Sequence, residues 1–389
     1  MRPSKSVAGA SRRAVLAAMP LSAALIPLSA THAAGGTPRD GAPALTAATA
    51  TTAAFRRAAD ALFRDRTAAL VRGTPPRTTA LRTIGGVRPA PAAARSEAGT
   101  LAALHGTRSR LASLGEAYTG SDTEVTVDSV RLQGRTATVQ VTESTTLTYA
   151  KIRGDEPDTT AFVAHHELTF AADPDGTWRL TGEHLTDKGP RPVNAPLPVG
   201  MGAAAHPADI IDAPRSAIAY PAPARPKNLG GGARYDYAAM AAYAEKYWKD
   251  YNTAYRRYNS DGGDCTNFLS QALRAGGWKQ VTHSAADYGT WYSRPSGDSG
   301  TWIGVNEWSW FTQTTKRTTA LAYAYQMGVG DVLQIDFDRD GAKDHSMLTT
   351  YRSASGVPYL TYHSNDTYRR SLPSVIAAYP NAAYYAYRS

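Results

Sequence analysis

Cys265 is the only cysteine among the 389 residues of this chain. A lone thiol can form no internal disulfide, so no cross-link constrains the fold. The cysteine lies in the stretch NSDGGDCTNFLSQAL, residues 259–273. Asp264 suits the N-cap of a helix, and the pair of glycines after Ala275 suits its end. The sequence therefore predicts a helix from Cys265 to about Arg274, with the cysteine in its first turn.

A cysteine at a helix N-terminus is favoured as a thiolate. The unpaired backbone N–H groups and the positive end of the helix dipole stabilise the anion, which predicts a lowered pKa for Cys265. The alternative is a small buried cysteine without chemistry. The aspartate at the cap, the adjacent glycines and the absence of any other cysteine favour a nucleophile.

A cysteine nucleophile needs a base, and the sequence places histidines where one is expected. The stretches GDVLQIDFD, HSMLTTYR and PYLTYHSND alternate like three strands of an antiparallel sheet. His345 begins the middle strand, and His363 and Asn365 lie at the end of the third. A hairpin turn near residues 353–355 sets His345 opposite His363 to within a residue or two. One ring then serves as the base, and a second polar group orients it.

These motifs carry a family resemblance. YAEKYWKDYN, GGDCTNFLSQALRAGG, GDVLQIDFDRDGAKDHSM and YLTYHSND resemble the putative amidase domain family of secreted bacterial proteins, over residues 235–388. That family is related to the papain-like cell-wall peptidases of the NlpC and CHAP types. The resemblance implies Cys265 as nucleophile, His345 as base and a polar third residue. His363 matches the NlpC pattern and is preferred, whereas Asn365 is nearer the CHAP pattern and lies close to the strand end.

An acyl-transfer site also needs donors for the oxyanion. The backbone N–H of Cys265 is one expected donor, and the side chain of Asn259 is the closest upstream candidate for the other. No cofactor is expected. Since this chemistry uses only side chains and backbone, the predicted site requires no metal.

An acidic turn offers a separate metal hypothesis. Asp336, Asp338, Asp340 and Asp344 resemble the start of a calcium loop, with carboxylates at alternate positions and a glycine for the sharp turn. The twelfth position is Met347, where a bidentate glutamate is expected. The pattern therefore favours an acidic hairpin turn over a calcium site.

The N-terminal 33 residues resemble an export signal. Arg12 and Arg13 precede an apolar run at residues 14–28, and the stretch resembles a twin-arginine signal. The protein is therefore expected to be secreted. Association with the cell wall is one expectation, since a mildly basic chain suits an anionic wall polymer. A simpler interpretation is that the net positive charge only keeps the protein soluble. No later stretch reaches the ~20 apolar residues of a membrane span, and no Lys/Arg cluster supports nucleic-acid binding.

The rest of the chain divides into regions. Residues 34–53 are expected to be a disordered lead-in, and residues 54–189 an α+β domain of helices followed by a four-strand meander. That order resembles the cone-shaped fold of nuclear transport factor and ketosteroid isomerase. Residues 190–232 are expected to be a Pro- and Gly-rich linker, and residues 233–389 a papain-like α+β domain. His165 and His166 point to opposite faces of a strand and are interpreted as structural.

Together these features predict a secreted cysteine amidase or peptidase. It would cleave amide bonds in peptides or peptidoglycan stems through a thioester on Cys265. Two alternatives remain: a non-catalytic wall-binding module that keeps the fold, and an acyl transferase that uses the same residues. The bond cleaved, the ligand of the N-terminal domain and the oligomeric state do not follow from the sequence.

Overall fold

The structure, a computed structural model, describes residues 42–72, 83–195, 212–230, 232–261 and 263–389. The predicted signal at residues 1–33 lies outside them. The described helices are α1 Ala42–Val71, α2 Pro91–Ser113, α3 Tyr237–Tyr247, α4 Cys265–Ala275, α5 Gly300–Ile303, α6 Val305–Thr314 and α7 Leu372–Ala378. The strands are β1 Arg88–Pro89, β2 Tyr118–Gln133, β3 Thr136–Tyr149, β4 Thr159–Ala172, β5 Trp178–Leu185, β6 Ser293–Arg294, β7 Gly297–Asp298, β8 Thr319–Leu321, β9 Val332–Asp336, β10 His345–Arg352, β11 Pro358–Tyr362, β12 Thr367–Ser371 and β13 Ala383–Arg388.

The N-terminal region, residues 42–195, contains the predicted helices and meander. Strands β2 to β5 pair antiparallel in chain order. The apolar stripe of α1 buries Phe55 and Phe63 in the same cluster as Phe170 of β4. The prediction of a disordered lead-in is wrong for residues 42–53, because α1 already begins at Ala42. Residues 34–41 lie outside the described part of the chain.

The two adjacent histidines of β4 lie on opposite faces of the meander. His166 is buried, and its Nδ1 lies 2.8 Å from Oε1 of Glu183 and its Nε2 3.3 Å from Oε2 of Glu143. His165 is half exposed, with Nδ1 3.0 Å from Oδ1 of Asp187. Both rings therefore pair with carboxylates, in keeping with a structural role.

The C-terminal region, residues 212–389, contains the predicted cysteine helix and hairpins. Helix α4 runs from Cys265 to Ala275, one residue longer than expected. Strand β10 pairs antiparallel with β9 on one side and with β11 on the other. Helices α3 and α4 cover one face of this sheet, where Phe268 and Leu348 share a cluster with buried tryptophans. Ile335, Met347 and Tyr362 share a second cluster.

One sheet of eleven strands runs through both regions. Its main order is β1-β5-β4-β12-β11-β10-β9-β13-β8, and β3 pairs with β4 and β2. The junction is antiparallel: Phe162 faces Thr367 and Ala161 faces Tyr368. The chain is thus a mixed α+β structure. The papain-like assignment of residues 233–389 stays a prediction.

Both regions also share an apolar cluster, and residues 46–389 form one compact unit. Leu104 and Tyr149 of the N-terminal region belong to the same cluster as Tyr359 and Leu372. The expected linker makes ordered contacts where it is described, since the N–H of Ser216 donates to the carbonyl of Tyr384 at 2.7 Å. Residues 196–211 lie outside the described part. The domain boundaries themselves stay a prediction.

We expect residues 212–389 alone to be less stable than residues 46–389. Removing the N-terminal region uncovers the free edge of β12 and large apolar side chains of the shared cluster, at roughly 1.5–3 kcal/mol each. Since each kcal/mol shifts Tm by about 2–4 °C at this size, the loss should be on the order of 10 °C, or folding should fail. Thermal unfolding of the two chains followed by circular dichroism measures it. Equal Tm values would show that the shared edge and cluster contribute little.

Candidate active site

Cys265 lies where α4 meets the start of β10. It is the first residue of the helix and is 6% exposed. The hydroxyls of Thr266 and Ser346 lie 3.0 Å apart, so the first turn of α4 rests on β10. The Cys265 sulfur lies 3.7 Å from Oγ1 of Thr266. The residue after the predicted nucleophile thus contacts the residue after the predicted base.

Asp264 occupies the N-cap position, but its side chain makes no capping hydrogen bond. Its Oδ1 accepts from the backbone N–H of Tyr258 at 2.9 Å and from Nδ2 of Asn267 at 2.8 Å. Its Oδ2 lies 2.8 Å from Nδ1 of His363. The expected cap is therefore wrong: the carboxylate turns away from the helix to join the preceding loop to the end of β11.

His363 contacts helix α3, helix α4 and the loop between them. Its ring stacks between Phe268 and Tyr251, with centroid distances of 3.8 and 4.0 Å. Its Nε2 lies 2.9 Å from the backbone carbonyl of Tyr247, so both ring nitrogens face acceptors. His363 makes no hydrogen bond to His345, so the structure does not show the expected orienting contact.

His345 lies at the first position of β10. It pairs with Ile335, so its side chain is on the face of Ile335 and Met347, whereas Ser346 points to the face under α4. The ring meets Tyr362 edge-on at 5.1 Å. Its Nε2 is buried and has no hydrogen-bond partner among the described residues. The pairing of Leu348 with Thr361 places the start of β10 near the end of β11, as expected.

Burial keeps both predicted catalytic groups uncharged. It raises the pKa of the Cys265 thiol, although hydrogen bonds from Ser346 and Thr266 act in the opposite direction. The expected lowered pKa is therefore wrong for this covered state, because loss of solvent outweighs the helix dipole. Burial also lowers the pKa of His345 to about 3, and the charges of Arg370 and His363 add to the effect. The resting pair is a neutral thiol and a neutral imidazole.

The two asparagines have partners outside the catalytic pair. Asn365 is buried, and its Nδ2 donates to the carbonyl of Pro190 at 2.6 Å while its Oδ1 has no partner among the described residues. Nδ2 of Asn259 donates to the hydroxyl of Tyr251 at 2.8 Å. The structure therefore does not show Asn259 as an oxyanion donor, because its amide is engaged with the phenol.

Several further residues organise this site and are not evident from the sequence alone. Oγ of Ser364 accepts from the backbone N–H of Asp264 at 3.0 Å. Tyr251 stacks on His363 and donates to Oδ1 of Asp366 at 2.9 Å. The HSND motif contains two of these residues, but only the fold shows that their side chains reach back to the cysteine loop.

The acidic turn gathers three carboxylates. Those of Asp336, Asp338 and Asp340 offer ligand oxygens within 4.8 Å of one another. Oxygen ligands suit a hard cation such as calcium. Asp336 already accepts from two backbone N–H groups of the turn, and Asp344 accepts from that of Phe337 at 2.7 Å. These bonds fit an acidic turn, and calcium binding stays a prediction.

Sequence comparison agrees with the region that contains this site. Residues 234–387 match the family model described as "Putative amidase domain". The chain is similar to two proteins of Bacillus subtilis (strain 168). It is 28% identical to "Uncharacterized protein YhbB" over 145 residues, covering 36% of this chain and 45% of that protein. It is 33% identical to "Uncharacterized protein YjcM" over 143 residues, covering 33% of this chain and 31% of that protein. The chain thus spans less than half the length of these relatives.

Solved structures give weaker similarities. A nuclear transport factor 2-like protein from Salmonella enterica serovar Typhimurium aligns with 22% of this chain and 53% of its own, at 15% identity and a TM-score of 0.14. The intermembrane-space region of the chloroplast protein ARC6 aligns with 33% of this chain and 95% of its own, at 15% identity and a TM-score of 0.20. At such TM-scores neither alignment assigns a fold.

No helix among the described residues is long and apolar enough to cross a membrane.

We expect burial of His345 to make the protein less stable as the solution becomes acidic. The folded pKa of His345 is about 3, below the ordinary histidine value of 6.5, so between these values the unfolded chain binds a proton that the folded chain excludes. Stability is therefore lost as the pH falls from 7 toward 3. From pH 7 to 5 this group should contribute a loss of about 2 kcal/mol at most, at 1.36 kcal/mol per pKa unit.

Urea unfolding of the wild type and of His345→Gln at pH 7 and pH 5 isolates this contribution. The wild type should lose more free energy of unfolding than the variant, since glutamine does not titrate. Identical losses in the two proteins would show that the ring already takes up a proton in the folded state.

Proposed function

We propose that residues 234–387 hydrolyse amide bonds with Cys265 as the nucleophile. The observation that carries this proposal is the docking of α4 on β10, where the hydroxyl of Thr266, next to Cys265, lies 3.0 Å from that of Ser346, next to His345. The similarity to the putative amidase domain supports the same class of reaction. The relation to NlpC- and CHAP-type peptidases is part of the proposal.

Because the Cys265 thiol and the His345 imidazole are both uncharged, general-base catalysis is favoured over a preformed thiolate–imidazolium ion pair. The ring of His345 lies on the face of β10 opposite to α4, so the mechanism requires the imidazole to swing around the start of the strand to the sulfur. As Sγ then attacks the carbonyl carbon, the thiol proton moves to Nε2 of His345, which has no partner among the described residues. The tetrahedral intermediate expels the amine, which takes that proton from the imidazolium. Water then attacks the thioester with His345 again as base, and the products are a carboxylic acid and the free thiol. The backbone N–H of Cys265 would donate to the oxyanion.

The geometry favours Asn365 over His363 as the third residue. Both nitrogens of His363 are engaged by Asp264 and Tyr247, so it has no atom left to orient a second ring. Oδ1 of Asn365 is buried and has no hydrogen-bond partner within the described part of the chain. We therefore assign orientation of His345 to Asn365 once the ring moves toward the sulfur, and assign His363 to holding the cysteine loop. This reverses the preference drawn from the motif alone.

The substrate class follows from the predicted export and chemistry. A secreted amidase without a metal would act on peptides or on the stem peptides of the cell wall. Purified protein incubated with wall fragments and with peptides, followed by mass spectrometry, would identify the bond cleaved. Addition of a free amine distinguishes hydrolysis from acyl transfer, because a transferase yields a new amide instead of the acid.

We expect Cys265→Ala to abolish amide cleavage, by a factor of about 10³ or more, while Tm changes little. The substitution removes the attacking sulfur but few packing atoms. Asn259→Ala, from the same loop, is the matched control and should keep turnover within about threefold, because its amide donates to Tyr251. Unchanged turnover in Cys265→Ala would refute the mechanism. A loss of about 10² in Asn259→Ala would restore this residue as an oxyanion donor.

A further inference from the structure

A segment of the N-terminal region crosses the candidate site. Residues 187–194, here called the strap, follow β5, and both ends are tied to the N-terminal sheet. Oδ2 of Asp187 accepts from the backbone N–H of His165 at 2.7 Å. At the other end, Nδ2 of Asn194 donates to Oε1 of Glu143 at 2.7 Å and to Oγ1 of Thr67 at 3.1 Å, in a fully buried position. The strap is thus an ordered part of the N-terminal region.

The middle of the strap rests on the residues proposed for catalysis. The carbonyl of Pro190 accepts from Nδ2 of Asn365 at 2.6 Å. Gly189 lies so close that a Cβ built on it would be 3.2 Å from Nδ1 of His345 and 3.0 Å from the carbonyl oxygen of Ser364. Glycine suits this approach, since its φ is +103° and it carries no side chain.

The next strap residue is also fixed to the C-terminal region, through its backbone. The N–H of Arg191 donates to the hydroxyl of Tyr379 at 2.5 Å, and its carbonyl accepts from Nη1 of Arg370 at 2.8 Å. These bonds hold the strap against the sheet beside His345.

The proposed catalytic residues are buried, and the strap contacts two of them, His345 through Gly189 and Asn365 through Pro190. His345 is 1% exposed, Asn365 2% and Cys265 6%. A peptide or wall polymer needs an open path to the sulfur and to the imidazole. Moreover, His345 has little room to turn on the side of Gly189. The neutral, buried state of thiol and imidazole is the state expected of a covered pair.

We infer that the strap is an intramolecular cover of the candidate site, through which the N-terminal region controls access of an amide substrate to Cys265 and His345. This inference rests on the proposed function. The covered form is the resting form, and catalysis requires displacement of residues 187–191 from His345 and Asn365. The shared strand pairing anchors the cover, so the strap can move while the sheet stays intact.

Gly189→Ala tests the cover, with Gly154→Ala as the matched control. Both glycines have positive φ, +103° and +85°, so both substitutions strain the backbone. A Cβ at Gly154 meets nothing within 4 Å, whereas one at Gly189 presses on His345 and Ser364. Asp187→Ala releases the strap by a second route, at its surface tie to His165. Asp187→Ala therefore still tests the cover if Gly189→Ala fails to fold.

The first readout is alkylation of Cys265 by iodoacetamide, followed by intact mass. Because the chain has a single cysteine, one adduct reports one site. We expect Gly189→Ala and Asp187→Ala to react at least about tenfold faster than the wild type and Gly154→Ala. Equal alkylation rates in all four folded proteins would contradict the inference that the strap limits access to Cys265.

The second readout, amide hydrolysis, separates the two proposals. Faster alkylation and faster hydrolysis in the strap variants support both. Faster alkylation without hydrolysis in any protein supports the cover and refutes the proposed function. Hydrolysis at the same rate in the wild type and both strap variants supports the function and refutes the cover.

Discussion

The contact between Asp264 and His363 organises the candidate site. One carboxylate joins three elements: it accepts from the loop before α4, from Asn267 within the helix, and from the histidine that follows β11. The histidine in turn bonds the last residue of α3 and stacks on Phe268. Breaking a buried pair of this kind costs about 3–5 kcal/mol, since it leaves a charge without a partner. The position of Cys265 at the start of α4 depends on this contact.

The same pair influences the chemistry next to it. Burial lowers the pKa of His345, and the neighbouring Arg370 and His363 add to the effect. The imidazole is therefore neutral and ready to accept a proton, and the thiol beside Ser346 is neutral as well. This arrangement needs no charge separation in the ground state. In the proposed mechanism the proton would move only when a substrate carbonyl is in place, which suits the inferred cover.

Local patterns predict the elements and their hairpin pairings but not the contacts between distant parts of the chain. Helix α4 and strands β9 to β11 appear where the apolar spacing and the glycines indicate them. The pairing of β4 with β12 joins residues about two hundred positions apart, and no local pattern encodes it. The residue type predicts that the side chain of Asp264 caps helix α4. Instead, its carboxylate bonds to His363, about one hundred positions away in the sequence. The prolines and glycines of residues 190–232 predict a linker, yet Pro190 and Arg191 form specific hydrogen bonds. The alternation of β10 also places His345 and Ser346 on opposite faces, which the motif does not reveal.

The most direct test of the central claim is to look for an acyl group on Cys265 during turnover. Excess protein with a displaced strap is mixed with a peptide p-nitroanilide, quenched in acid at short times and mapped by mass spectrometry. The account predicts that p-nitroaniline appears before the free acid, with the missing acyl group attached to Cys265. Simultaneous release of amine and acid, with the acyl group on another residue or on none at every quench time, would contradict it.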